Sequence, residues 1–280
     1  MSEGNDKVRL QVLIAAFGKD GIEKISALSH PVHQAVEYIV SWQNFDMQRI
    51  PDEIRRRNDF TILPVDTIGS SENRNNALKH ATSPFVLISD QDVSYEYADF
   101  DHILEAISKY PDYDYFTHRY RSSDFPKDYP EESFDLNNPP KGYYVSAIEL
   151  VLNLDRLKTR HGRSNIAFNP HFGINGLTFC SGEEDVLLAT FSKNRYKGRY
   201  LPVEAGTHNG STTDIRLRNN PKFIQAKGAI IGYRNPFTWP LRMLTHALRS
   251  RNVKFLDYCR FWVRGVRIAR EKKVFQQEAT

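Results

Sequence analysis

Apolar runs alternate with polar, helix-compatible stretches through the first half of the chain. Residues 10–17, 35–41, 60–65 and 85–89 are dominated by Val, Ile, Leu and aromatic side chains. Each is separated from the next by enough chain for a connecting helix. Near-continuous apolar runs mark strands covered on both faces, and regular spacing with helical connections marks repeated βα units. The pattern therefore predicts an α/β protein with a mostly parallel, twisted sheet flanked by helices. Helices are expected over 21–28, ended near Pro31, over 72–80, with Ser70 and Ser71 as capping candidates, and over 98–109. Residues 119–142 are rich in Pro, Asp, Glu, Asn and Ser and show no period. They read as a long surface loop, a length tied to function.

Near the far end, Phe255, Cys259, Trp262, Val266 and Ala269 fall on one helical stripe, and Arg260, Arg264, Arg267 and Glu271 on roughly the opposite one. Residues 242–280 contain 10 Lys/Arg and 3 Asp/Glu, a balance of +7, so the remainder of a chain with net charge +4 carries −3. Two readings of this segment stand side by side. One is a helix lying on an anionic membrane surface. The other is an amphipathic helix packed on the protein with a solvated basic face.

The 280 residues, 40% of them hydrophobic, include 14 Tyr and 17 Phe, enough apolar material for one large domain plus an appendage. No uncharged apolar run approaches the ~20 residues of a membrane span, and the first residues are not those of a secretory signal. Cys180 and Cys259 are too few for a disulfide framework and lack metal-ligand spacing. Both fit a reducing, cytoplasmic compartment. The charge comes with no nucleic-acid-binding motif, so no nucleic acid is expected as a partner.

Candidate chemistry concentrates where Val86-Leu87-Ile88-Ser89 runs into Asp90-Gln91-Asp92. If the strand continues, Asp90 and Asp92 point the same way and can offer oxygens to one divalent cation at the carboxyl edge of the sheet. The alternative is a turn or a helix cap. Upstream, Ser71-Glu72-Asn73-Arg74-Asn75 opens a helix. A helix amino terminus with Arg74 and Asn75 suits an anion such as a phosphate. Its competitor is a capped, solvated helix whose Arg pairs with a carboxylate.

In order along the chain, the strand at 12–16, Arg74-Asn75, Ser89-Asp90-Gln91-Asp92, and Gly182-Glu183-Glu184-Asp185 before an apolar helix resemble the family 2 glycosyltransferases of GT-A (nucleotide-diphospho-sugar transferase) fold. The likeness covers roughly residues 8–215. It is closest to bacterial enzymes of capsular, O-antigen and exopolysaccharide synthesis, which carry a stretch like His208-Asn209-Gly210-Ser211-Thr212. The resemblance implies a GT-A catalytic domain over 1–235 and a basic helical segment over 236–280. It further implies Asp90, Asp92 and His208 as ligands of Mn2+ or Mg2+ on the donor diphosphate, with Asp92 the surer direct ligand.

Asp185, with Glu184 beside it, is implied as the catalytic base, although a run of three carboxylates also suits a helix amino terminus electrostatically. A single base opposite the leaving group gives inversion. The implied donor is a UDP-sugar, and the implied acceptor a glycan or polyprenyl-diphosphate-linked hydroxyl at the inner face of the cytoplasmic membrane. Relatives follow the first strand with polar residues and end the second on acidic ones, where this chain has Ala15-Ala16-Phe17-Gly18 and Ser41-Trp42-Gln43-Asn44. Ala16, Trp42, Gln43 and Asp66 are the nucleoside-contact candidates, Trp42 being also a core candidate, with Arg74, Asn75 and Asp90 on the phosphates. A sugar nucleotidyltransferase is the competing enzyme class. It calls for a Gly-rich loop and Lys after the first strand, of which Phe17-Gly18-Lys19-Asp20 is a poor version. A non-enzymatic basic nucleic-acid binder is the competing class outside enzymes.

Overall fold

The structure is a computed structural model and describes residues 10–161, 166–210, 219–250 and 252–276. By packing the chain divides into two compact units. The first holds Met1–Thr67, Asn73–Ala167 and Phe191–Gly210, and the second Ile68–Glu72, Phe168–Thr190 and Ser211–Thr280.

The first unit contains the sheet. In chain order its elements are β1 (Leu10–Phe17), α1 (Gly18–Ala27), β2 (Val36–Gln43), α2 (Asp52–Arg55), β3 (Phe60–Val65), α3 (Ser70–His80, from Asn73 on), β4 (Phe85–Asp90), α4 (Tyr97–Ser108), β5 (Tyr115–Arg121), β6 (Phe134–Asp135), β7 (Leu150–Asn153), α5 (Leu154–His161) and, after an excursion through the second unit, β8 (Gly198–Thr207). The strands form one sheet in the order β3-β2-β1-β4-β7-β5-β8-β6. β1 runs parallel to β2 and β4, β2 to β3, and β5 to β8. β7 is antiparallel to both β4 and β5, and β6 to β8.

β1 explains why this half of the sheet reads so plainly in sequence. Leu10, Val12, Leu13, Ile14 and Ala16 are all buried, so both faces of the strand lie under side chains and no alternation survives. Tyr38, Val40 and Trp42 of β2 and Val86, Leu87 and Ile88 of β4 extend the same core. α4 covers it with Phe100, Ile103 and Ile107.

Two features depart from expectation. β5 continues to Arg121, into residues read from sequence as loop, because its polar members Thr117 and His118 are buried. The long segment after it is also tied down. Lys127 donates to Glu149 at 2.6 Å with both side chains almost fully buried, and the Tyr129 hydroxyl donates to the same carboxylate at 2.9 Å. Burial alone pushes the Glu149 carboxyl up, and the Lys127 charge only partly opposes this.

The second unit contains α6 (Glu183–Lys193) up to Thr190, then α7 (Pro221–Arg234), α8 (Trp239–Arg249) and α9 (Phe255–Glu271). α7 and α9 cross at a backbone-to-backbone contact. A Cβ on Gly228 would run into the Trp262 main chain, and one on Gly265 into the Gln225 carbonyl. Trp262, Val266 and Ala269 are buried in that crossing. The apolar stripe read from sequence is thus used for packing. Only its first member, Phe255, stays exposed, while Arg260, Arg264 and Arg267 face solvent.

Candidate active site

β4 ends at Asp90, and a turn closed by the Val93 N–H on the Asp90 carbonyl, at 3.2 Å, follows at once. This corrects the strand-alternation argument: Asp92 lies in the turn, and the two carboxylates take different partners. Arg74, buried on α3, donates from Nη2 to Asp90 Oδ1 at 2.8 Å. The guanidinium read as a phosphate contact therefore holds a carboxylate. Between the two acids, Gln91 turns back on the sheet and accepts from the Phe17 N–H at 2.8 Å. Gly21 of α1 makes the room, since a Cβ there would overlap the Gln91 amide.

Asp92 meets His208, with Oδ2 3.5 Å from Nε2. The residues are distant in sequence, and backbone bonds bring them together. The Ser94 N–H donates to the Thr207 carbonyl at 3.0 Å and the Thr207 N–H to the Ser94 carbonyl at 2.8 Å. This pairs the segment after Asp92 with the end of β8. The His208 N–H donates to the Arg121 carbonyl at 2.9 Å. Arg121 in turn donates two bonds of 2.7 Å to Asp99, which also accepts from the Gly206 N–H and the Glu96 N–H. Asp99 is at once the capping partner of α4 and the anchor of β5 and β8 behind His208. Sequence reading missed this clamp, because an Asp in the first turn of a helix looks like any other cap.

The electrostatics follow the geometry. Burial would raise the Asp92 carboxyl, but the hydrogen bond and charge of His208 outweigh it and hold the group below its ordinary value. At Asp99, too, burial raises the carboxyl and is overcome, here by the bonds from Arg121 and the two backbone amides.

The Asp92 and His208 atoms suit a divalent ion in donor type, carboxylate oxygen with imidazole nitrogen. Two adjacent ligands at ~2.1 Å from a small cation stand ~3 Å or slightly more apart, close to the separation here. A Cβ at Gly210 would sit 3.1 Å from His208 Nε2 and 3.9 Å from Asp92 Oδ2, so glycine at this position keeps the approach to both open. Among the described residues no group of three His, Cys, Asp or Glu side chains is gathered as a metal-holding set. The expected trio is present as a pair, with Asp90 turned to Arg74. Ser211 and Thr212 of the motif lie outside the described residues.

The nucleoside candidates divide. Ala16 is wholly buried, and its carbonyl accepts from Asn73 Nδ2 at 2.8 Å. Trp42 is also fully buried, with its indole N–H on the Gly18 carbonyl at 2.8 Å. Neither side chain has surface for a base, and Trp42 takes the core role. Gln43 is buried and reaches Thr67 Oγ1 at 3.4 Å, Asn75 is half-buried and Asp66 is exposed.

In the second unit, the acidic run opens α6 just after Gly182, whose φ of 88° is comfortable only for glycine. The three carboxylates diverge. Glu183 is buried and accepts from Ser70 Oγ at 3.0 Å, in a niche that the missing side chain of Gly173 leaves open. Glu184 is half-buried. Asp185 is half-exposed, with Arg234 Nη1 of α7 3.8 Å from its Oδ1.

A mixed, mostly parallel sheet flanked by helices, its central strand ending in an acidic turn, is the architecture of the GT-A fold. Residues 49–174 match the model of glycosyl transferase family 2, which supports a glycosyltransferase. No curated protein matches the chain. Among solved structures, S. aureus TarS 1-349 is similar with a TM-score of 0.60 at 15% identity, over 94% of this chain and 92% of that one. The same protein in complex with UDP-GlcNAc gives a TM-score of 0.61 at 14% identity over the same shares. Its complex with UDP gives 0.58 at 15%. At these identities the likeness bears on the fold.

Proposed function

We propose that this glycosyltransferase is metal-dependent and inverting. It would move a sugar from a UDP-sugar to a hydroxyl of a glycan or lipid-linked acceptor in bacterial surface polysaccharide synthesis, at the inner face of the cytoplasmic membrane. The observation that carries the reading is the pairing of Asp92 with His208 at the end of the central strand β4, fixed by the Ser94–Thr207 bridge. TarS, the protein similar in fold, has been crystallised with UDP-GlcNAc and with UDP. That favours a uridine donor here.

Asp92 and His208 would hold Mn2+ or Mg2+, which when bound supplies positive charge to the donor diphosphate. Asp90 completes the acidic turn, and Arg74 fixes the direction in which its carboxylate points. Asp185 accepts the proton that the acceptor hydroxyl loses as its oxygen attacks the anomeric carbon and the bond from that carbon to the diphosphate breaks, releasing UDP, a role open to a partly exposed carboxylate with a cation nearby. The chemistry needs one base and yields inversion. Glu184 supports the charge of that helix start.

The test is calorimetric. UDP titrated into the protein should bind with manganese present and at least about tenfold more weakly with EDTA, since removing even a group that supports a bound metal costs about tenfold or more. Asp92→Ala should bind UDP equally with or without metal. Manganese-dependent binding that survives in Asp92→Ala would refute the assignment.

A further inference from the structure

With the Trp262 stripe used up by packing, the C-terminal helices still leave apolar side chains in water. On α8, Met243 and Ala247 turn inward, while Leu241, Leu244 and Leu248, at i, i+3 and i+7, share the outer face at 67%, 40% and 76% exposure. Phe237, in the turn just before α8, is 93% exposed. Soluble proteins seldom leave so many large apolar groups together in one helix and its lead-in, and where they do the surface usually meets something.

Charge says what it meets. Arg242 and Arg249 flank the leucine stripe on one side, and both are exposed. On α9 the outer face alternates Leu256, Arg260, Val263 and Arg267, at i, i+4, i+7 and i+11, all exposed. Residues 242–280 hold 10 Lys/Arg against 3 Asp/Glu. A leucine stripe rimmed by arginine fits the boundary between lipid headgroups and acyl chains, the apolar side chains entering and the guanidinium groups meeting phosphates. A second copy of the chain fits poorly. A two-fold contact would set this basic rim against itself, and protein interfaces are depleted of charge at their centres.

We propose that α8, with Phe237 before it, is the membrane-docking element of this protein, and that it adsorbs to anionic bilayers by inserting Leu241, Leu244 and Leu248. This deepens the reading of an acceptor at the cytoplasmic leaflet by naming the surface that meets the lipid. Its test needs neither donor nor acceptor, so it can fail while the transferase assignment stands.

The full chain is sedimented with vesicles of phosphatidylcholine alone or mixed with phosphatidylglycerol, at low and high salt. Binding is expected to the mixed vesicles only, and to fall steeply as salt screens it. The double variant Leu241→Gln, Leu248→Gln changes only exposed helical positions to another good helix former, so it should keep the thermal midpoint and UDP binding. It should lose at least about tenfold in vesicle partitioning. Wild-type partitioning in that variant would overturn the proposal, as would equal binding to neutral vesicles or no binding at all. A wild-type dimer in sedimentation equilibrium that the variant converts to monomer would overturn it too, in favour of a second copy.

Discussion

At the scale of single residues, the acidic run at the start of α6 shows how neighbours in sequence come to differ in chemistry. Glu183 is buried and committed to Ser70, and Asp185 is half-exposed and faces Arg234. A group that takes a proton from an acceptor must be reachable by it, which favours Asp185 over Glu183 as the base. Asp185→Asn keeps the size and polarity of the side chain and removes its basicity. It should leave UDP affinity within about twofold and lower kcat by on the order of a hundredfold or more. Glu184→Gln should do less. Steady-state rates with calorimetric UDP affinity separate the two, and equal losses at both positions would show that the run acts as a unit.

At the scale of elements, what was legible depended on burial. β1 is found over the residues that its apolar run marks, because a strand covered on both faces leaves an unbroken hydrophobic signal, and β3 is found over its run as an edge strand with no fully buried residue. β7 is only Leu150–Asn153, too short for a period, and β5 carries buried polar residues that mimic a loop. Asp92 was reached by its spacing from Asp90 on a strand that in fact turns there, and His208 by motif order; the Ser94–Thr207 pairing that joins the two leaves no mark in composition. Nor does the Asp99–Arg121 clamp, which makes that clamp the sharpest test of the element-level account. Asp99 has its carboxyl held below the ordinary value in the folded protein. Its contribution is therefore present above the unfolded value of about 4 and lost as pH falls through the lower folded value. Asp99→Asn leaves Arg121 without its carboxylate, and at pH 7 should cost about 2–3 kcal/mol of unfolding free energy. The gap from wild type should narrow below about pH 4, read by urea unfolding at both pH values, and a constant gap would mean that the Asp99 charge contributes nothing.

At the scale of the whole molecule, the C-terminal helices have a structural task that their charge conceals. Ile224, Ala226, Ala229 and Ile230 make the inner face of α7, and they are buried with Tyr258, Trp262, Val266, Ala269 and Val274. The glycine pair Gly228 and Gly265 admits the close crossing that this burial needs. Sequence reading ran the catalytic domain to residue 235 and the basic helical segment from 236 to 280. Packing instead groups α7 with α8 and α9. The two views predict different behaviour for a chain ending at residue 235. A detachable appendage would leave the remainder folded and soluble. Loss of a packing partner would bare the α7 face, and an exposed patch of that kind binds hydrophobic dyes and promotes aggregation. We expect the second outcome: strong ANS fluorescence, poor solubility and a lower urea midpoint than the full chain. In the full chain, Trp262→Ala should by itself cost about 3–5 kcal/mol, the scale of removing a buried aromatic side chain. A truncated protein with the full chain's urea midpoint and no dye binding would show that α7 stands without α9. The helices after residue 235 would then be free to serve the membrane alone.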